Sequence, residues 1–177
     1  SQQIIEKMLN RRVEVALIEG PIDNNQREIL ANDGILITKI AQTKLILVAS
    51  CDGEYKDLTE VTLEKLRELP LIMREEGSGI KATFENVITA KGMSLQDFNI
   101  IYELTTGSAI VSAVSSDMGL TLLPIMSLRK ELRHKILKNI PLKNISFKHE
   151  FNMIYREDSK KKSHKAFIEL LDSNEKG

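Results

Sequence analysis

Two short turns of this sequence place a hydroxyl group at the start of a predicted helix. The first turn contains Gly77, Ser78 and Gly79, and the second contains Thr105 and Thr106. At a helix start the first backbone N–H groups have no carbonyl partner within the helix, and a hydroxyl beside them adds a further polar group. Such turns suit a small polar or anionic ligand. The sequence therefore predicts a site that holds a small molecule.

The elements that position these turns alternate between strand and helix. An apolar run at residues 69–73 precedes the first turn, and a helix is predicted from there to Gly92, a residue suited to positive φ at a helix end. The second turn lies between a strand at residues 99–104 and a helix at 109–116, and a third strand follows at 118–124. Such short spacing predicts right-handed crossovers and a mainly parallel sheet, whose ligands bind beyond the carboxyl ends of the strands.

The remaining segments divide the chain into two predicted lobes. Apolar runs at residues 44–49 and 147–156 bracket a middle section with three strand and helix units of its own. Two lobes joined by two crossing strands would have this layout. We therefore predict an α/β chain in which residues 1–50 with 152–177 form lobe I and residues 51–151 form lobe II. Each lobe is expected to be Rossmann-like with a mainly parallel sheet, and the strand ends of both line one cleft.

Lobe I has fewer predicted elements than lobe II. They are a helix at residues 2–10, a strand at 13–18, an extended segment at 35–40 and a closing helix at 163–171. Glu19 ends the strand on the expected cleft side, where it is a candidate to bind a cationic group of the ligand, to pair with a lysine or to face solvent. A polar stretch at residues 23–28 leads to the extended segment.

Five segments resemble, in order and spacing, the effector-binding domain of LysR-type transcriptional regulators. They are residues 14–20 (EVALIEG), 45–48 (LILV), 66–79 (LRELPLIMREEGSG), 109–110 (AI) and 119–124 (GLTLLP). The resemblance implies a two-lobed fold similar to type 2 periplasmic binding proteins and a small-molecule inducer in the cleft. It also implies a dimeric or tetrameric regulator that activates or represses transcription. Thr106 matches the family position at the start of its helix.

The family also implies segments upstream of this sequence. Its members carry a winged helix-turn-helix, a linker helix, and a first strand and helix of lobe I before the helix at residues 2–10. We therefore expect lobe I to be truncated at its N-terminus and DNA to be contacted only through that helix-turn-helix. The 25 basic and 25 acidic residues agree with this division, because a neutral chain lacks the broad positive field that binds phosphate backbones.

Other function classes find little support. His134, His149 and His164 are evenly spaced with no H-x-x-x-H pair, and no G-x-S-x-G motif is present, so we expect neither a metal site nor an enzyme. No run of about 18 apolar residues favours a membrane span. The single Cys51 excludes an internal disulfide and fits a reducing compartment. We therefore expect a cytoplasmic domain without a cofactor.

Two alternatives remain open at this stage. Residues 77–82 (GSGIKA) fit the dinucleotide-binding pattern G-x-G-x-x-A, although Glu75 and Glu76 would then lie beside a pyrophosphate. A solute-binding protein or a small α/β enzyme would use the same cleft. The hydroxyls of Ser78 and Thr106 also suit helix capping, which alone stabilises a helix by about 1 kcal/mol and is compatible with ligand contact.

Overall fold

Residues 2–156, the part of the chain that this computed structural model describes, contain seven strands and six α-helices. They are α1 (Gln2–Leu9), β1 (Val15–Glu19), α2 (Asn24–Asn32), β2 (Ile35–Ser50), α3 (Leu63–Glu68), β3 (Leu71–Arg74), α4 (Gly79–Thr89), β4 (Ile100–Leu104), α5 (Gly107–Ser115), β5 (Thr121–Pro124), α6 (Arg129–Arg133), β6 (Leu137–Ile140) and β7 (Phe147–Arg156). Short 3-10 helices lie at Leu95–Asp97 and Ile125–Leu128. The closing helix predicted at residues 163–171 falls outside the described residues.

The described residues divide into two units. Unit 1 comprises residues 2–42 and 150–156, and unit 2 comprises residues 43–149. The long strands β2 and β7 each run through both units, β2 after Gln42 and β7 after His149. The lobe boundaries predicted after residues 50 and 151 stay a prediction. A boundary inside a continuous strand depends on what each half packs against, and the strand sequence itself carries no break.

Unit 1 packs two helices and parts of three strands around a small apolar core. The buried residues of this core are Ile5, Met8, Ile18, Ile22, Leu30, Ile35 and Ile154. β1 pairs with β7 antiparallel, with Leu17 opposite Met153. The predicted helix at residues 2–10 and the predicted strand at 13–18 are present as α1 and β1, each shifted by no more than two residues.

The polar stretch at residues 23–28, to which the sequence pattern assigns no helix or strand, contains the start of α2. Asp23 is the N-cap, and its Oδ1 accepts a hydrogen bond of 2.7 Å from the backbone N–H of Gln26. The Gln26 side chain accepts in return from the backbone N–H of Asp23 at 3.2 Å, which completes a capping box. The helix buries Leu30 and is otherwise polar, so its weak apolar periodicity hid a helix that the capping residues signal.

Unit 2 contains the larger core and two arrangements of strands. β2 pairs antiparallel with both β5 and β6, whereas β3 and β4 form a parallel pair. Phe84 of α4 packs edge-on against Phe98, with ring centroids 5.0 Å apart, and stacks on Phe147 of β7 at 5.4 Å. These aromatic contacts attach α4 both to the chain before β4 and to β7.

The expectation of mainly parallel sheets is wrong. Of the strand pairs with a defined register in residues 2–156, β3–β4 is parallel, and β1–β7, β2–β5 and β2–β6 are antiparallel. The prediction of parallel strands joined through a helix holds for β3 and β4, between which α4 lies. It says nothing about β2, whose partners come from much later in the chain. The α/β class and the two crossing strands agree with the structure.

The buried guanidinium of Arg156 connects the ends of both helices in unit 1. One amino group donates to the carbonyl oxygen of Asp33 at 2.8 Å. The other donates to the carbonyl oxygen of Met8 at 2.8 Å and to Oδ2 of Asp33 at 2.5 Å. Met8 lies in the last turn of α1, and Asp33 is the C-cap of α2. A positive charge at two helix C-termini also complements their dipoles.

We expect Arg156→Met to lower the free energy of unfolding of unit 1 by about 1–3 kcal/mol, because the buried carbonyl oxygen of Met8 loses its donor and the partly exposed Asp33 loses its ion pair. Arg156→Lys should lose less stability than Arg156→Met, because lysine keeps the positive charge. It should still be less stable than the wild type, because lysine lacks the planar guanidinium that binds several acceptors. Urea unfolding followed by circular dichroism measures both. The matched control is Arg12→Met, at an exposed arginine of the same unit. Equal stability of the Arg156→Met and Arg12→Met variants would contradict the assigned role.

Candidate functional site

The two predicted turns leave the same edge of the parallel pair in unit 2. The register places Arg74, the last residue of β3, opposite Leu104, the last residue of β4. The backbone N–H of Glu75 donates to the carbonyl oxygen of Leu104 at 3.3 Å, which continues the ladder beyond the strand end. The starts of α4 and α5 therefore follow carboxyl ends that lie at the same level, where ligands of open parallel sheets bind.

Ser78 is the N-cap of α4. Its hydroxyl oxygen accepts a hydrogen bond of 3.3 Å from the backbone N–H of Ile80, and the residue is 8% exposed. Because the oxygen accepts in this bond, the hydroxyl proton can still be donated to a ligand. The predicted α4, with its capping serine, is confirmed. Gly92 after it has φ +76°, as the sequence predicted for the helix end.

The glycines beside Ser78 have different roles. Gly77 is exposed and has φ +80° in a turn closed by a 3.2 Å bond from the backbone N–H of Ser78 to the carbonyl oxygen of Glu75. This is the geometry of a type II turn, in which glycine is favoured at the third position. Gly79 is buried and is the first residue of α4, so its backbone N–H is one of the amides of the helix start. The ligand roles of both glycines stay predictions.

Thr106 occupies the equivalent position on α5. Its hydroxyl oxygen lies 3.2 Å from the backbone nitrogen of Ala109, from which it accepts, and 3.3 Å from the hydroxyl oxygen of Ser108. Thr105 and Thr106 are both exposed at the end of β4. In contrast, Glu19 is half-buried at the end of β1 in unit 1, opposite Phe151. The structure thus brings the five unit 2 candidates to one strand edge and places Glu19 in the other unit.

Lys81 is a residue of this edge that the sequence analysis did not assign to the site. It lies in the first turn of α4 with only 8% of its side chain exposed, and its Nζ is 2.5 Å from Oε1 of Glu103 and 3.1 Å from Oε2 of Glu76. Glu76 belongs to the turn before Ser78, and Glu103 lies near the end of β4. Lys81 therefore connects the two turns. A cation in the first turn opposes the helix dipole, and that is the sequence signal of a specific acidic partner.

Three ion pairs, made by the two cations Lys81 and Arg74, determine the electrostatics of this edge. Burial lowers the pKa of Lys81, but its hydrogen bonds to Glu103 and Glu76 outweigh burial, and the pKa is raised above the ordinary lysine value. Arg74 donates to both carboxylate oxygens of Glu75, at 2.9 Å and 3.0 Å, and this hydrogen bonding lowers the pKa of Glu75. Because chain carboxylates hold both of these cations, the donors offered to a ligand are hydroxyl and backbone N–H groups.

Residues 2–156 contain neither a metal-binding cluster nor a membrane-spanning helix. No cluster of three or more His, Cys, Asp and Glu side chains there has the arrangement of a metal site. The helices in the same residues are too short or too polar to span a bilayer.

The sequence matches the family model described as the LysR substrate binding domain over residues 1–175. The HTH-type transcriptional regulator CysL of Bacillus subtilis (strain 168) is 23% identical over 177 residues, which are 98% of this chain and 55% of CysL. The chain spans about half the length of the curated relatives that it matches.

Solved structures show the same fold. The regulatory domain of CcmR from Synechocystis PCC6803, in complex with 2-PG, has a TM-score of 0.76 and 18% identity, and the match covers 96% of this chain and 76% of that one. The effector binding domain of QuiR, in complex with shikimate, has a TM-score of 0.75 and 16% identity, with 97% and 76% covered.

We expect Lys81→Met to lower the free energy of unfolding by about 1–3 kcal/mol at pH 8, less than for a fully buried pair because the Glu76 and Glu103 side chains are 83% and 45% exposed. The folded pKa is raised, so this stabilisation is complete below the unfolded pKa of about 10.4 and is lost as pH rises through the folded pKa.

Arginine stays charged at the high pH at which Lys81 loses its proton, so Lys81→Arg should keep the stabilisation that the wild type loses. Urea unfolding at pH 8 and at higher pH measures the difference, with Lys91→Met, at an exposed lysine after the same helix, as control. Parallel loss of stability in the wild type and Lys81→Arg above pH 10 would show that Lys81 is not the titrating group.

Proposed function

The chain belongs to the LysR substrate-binding domain family, and on that premise we propose that it is the small-molecule sensing part of a transcriptional regulator. The observation that carries the proposal is the pair of capped helix starts, Ser78 on α4 and Thr106 on α5, at one edge of the parallel pair. The effector is a small organic anion whose carboxylate or phosphate group accepts hydrogen bonds at this edge.

The chemistry of the helix starts supports an anionic effector. The first amides of α4 and α5 have no carbonyl partner within their helices, and each helix dipole places about half a positive charge at its N-terminus. The hydroxyls of Ser78 and Thr106 add donors while their oxygens cap the helices. Together they stabilise an anion without a free cationic side chain. Shikimate and 2-PG, bound by QuiR and CcmR, both carry a carboxylate, in agreement with this chemistry.

The proposed mechanism is binding without chemical conversion. An effector that prefers one arrangement of the regulator shifts the population toward that arrangement by the difference between its two affinities. Relatives such as CysL are described as helix-turn-helix regulators, so the DNA-binding segment of the proposed protein is of that type and lies outside these residues. The proposed regulator is a homodimer or a tetramer without a cofactor, and it responds to the effector from the cytoplasm.

We expect Ser78→Ala and Thr106→Ala each to weaken anion binding by about 1–3 kcal/mol, which corresponds to roughly 5- to 150-fold in Kd. Isothermal titration calorimetry with 2-phosphoglycolate, shikimate and inorganic phosphate measures the affinities, and glycerol is the uncharged comparison. The matched control is Thr62→Ala, which removes the N-cap of α3, the helix that precedes β3 in the chain. This variant should lose about as much helix stability as Ser78→Ala and Thr106→Ala, but it should bind the anions with the wild-type affinity.

Two outcomes would overturn the proposal in different ways. If neither calorimetry nor a thermal shift detects binding of any of the three anions, the assignment of an anionic effector is wrong. If an anion binds and Ser78→Ala and Thr106→Ala retain the wild-type Kd, the anion binds elsewhere and the assigned edge is wrong.

A further inference from the structure

A buried histidine lies on β7 at the point where this strand leaves unit 2. His149 is fully buried, and its Nδ1 is 2.8 Å from the Oγ1 atom of Thr83 on α4. Thr83 is 4% exposed, and its hydroxyl donates to the carbonyl oxygen of Gly79 at 2.8 Å. Gly79 follows the N-cap Ser78. Two hydrogen bonds therefore connect β7 with the first turn of α4.

The direction of these bonds follows from counting protons. The Gly79 carbonyl has no proton and can only accept, so the single hydroxyl proton of Thr83 is donated to it. The Thr83 oxygen must then accept from His149, which requires a proton on Nδ1. The bonds run from His149 through Thr83 to Gly79, with Nδ1 of His149 as the first donor.

Apolar packing holds the same two elements together. Phe84, the residue after Thr83, stacks on Phe147 with an interplanar angle of 26°. Phe147 and His149 are two residues apart on β7 and both are buried, so they share one face of the strand. An apolar pair in place of Thr83 and His149 would fill this core without a desolvation cost. The polar pair adds a directional tie between β7 and the carbonyl of Gly79.

We propose that Thr83 and His149 are positioning residues that couple the start of α4 to β7. We call the two hydrogen bonds from His149 through Thr83 to Gly79 the relay. It rests on the proposed function in one respect, because the event it transmits is anion binding at Ser78 and Gly79. Neither residue contacts the anion. An anion that holds the amides of the first turn also fixes the Gly79 peptide group, and through Thr83 it restrains His149. β7 then carries the restraint beyond residue 149 into unit 1.

The first test needs no ligand. We expect Thr83→Val to speed amide hydrogen exchange about fivefold, the equivalent of one lost hydrogen bond, both in the first turn of α4 and at residues 150–154. Thr83→Ser retains the hydroxyl and should restore the wild-type rates. Thr89→Val makes the same change at an exposed position of the same helix and should leave both regions unchanged.

A spectroscopic signature separates the relay from a purely packing role. Imidazole ¹⁵N resonances of the wild type should show a proton on Nδ1 of His149, and Thr83→Val should shift these resonances while Thr83→Ser does not. The relay is overturned if Nδ1 is unprotonated in the wild type, if Thr83→Val affects exchange in α4 alone, or if Thr89→Val has the same effect as Thr83→Val.

The second test uses 2-phosphoglycolate and separates this proposal from the previous one. In the wild type the anion should slow exchange both at the start of α4 and at residues 150–154. In Thr83→Val it should bind with a Kd within a few-fold of the wild type and protect α4 alone. Protection that still reaches residues 150–154 in Thr83→Val would overturn the relay. Absence of binding to the wild type would count against the proposed anion site, and the ligand-free measurements would still decide the relay.

Discussion

In β3 and β4 two neighbouring parallel strands end at the same level, with Arg74 opposite Leu104. The candidate site depends on this register more than on any single side chain. A slip of two residues would keep the inward and outward faces but displace one helix start by about 6–7 Å along the strand. The ion pairs of Lys81 oppose such a slip, because Lys81 reaches Glu103 on one strand and Glu76 after the other.

Local signals explain why part of the fold was predictable from the sequence. The helix predicted after the first turn forms as α4, and Gly92 takes the positive φ that the sequence predicts for the helix end. The bounds of β7 coincide with the predicted apolar run. In contrast, α2 has a weak apolar stripe, and the continuous β2 and its antiparallel partners depend on residues far away in the sequence. Local periodicity carries no information about such pairings.

The candidate site also combines features that local sequence signals predict with contacts that they do not predict. The hydroxyls of Ser78 and Thr106 lie at helix starts, as predicted, because capping involves residues only two or three apart. The contact between Lys81 and Glu103 joins residues 22 apart, and that between Thr83 and His149 joins residues 66 apart. A spacing of that size has no periodic signature. Only the folded chain shows that these polar groups meet.

The passage of β2 and β7 from one unit to the other has a mechanical consequence. Both passages are extended strand without a loop, and neither β2 nor β7 contains glycine or proline. A joint of this kind lacks the backbone freedom of a flexible hinge, where a few residues absorb large changes in φ and ψ. Reorientation of the units would have to be distributed as small changes of twist over many residues. The resistance of the two strands to such twisting would depend on their length and on the backbone hydrogen bonds along them.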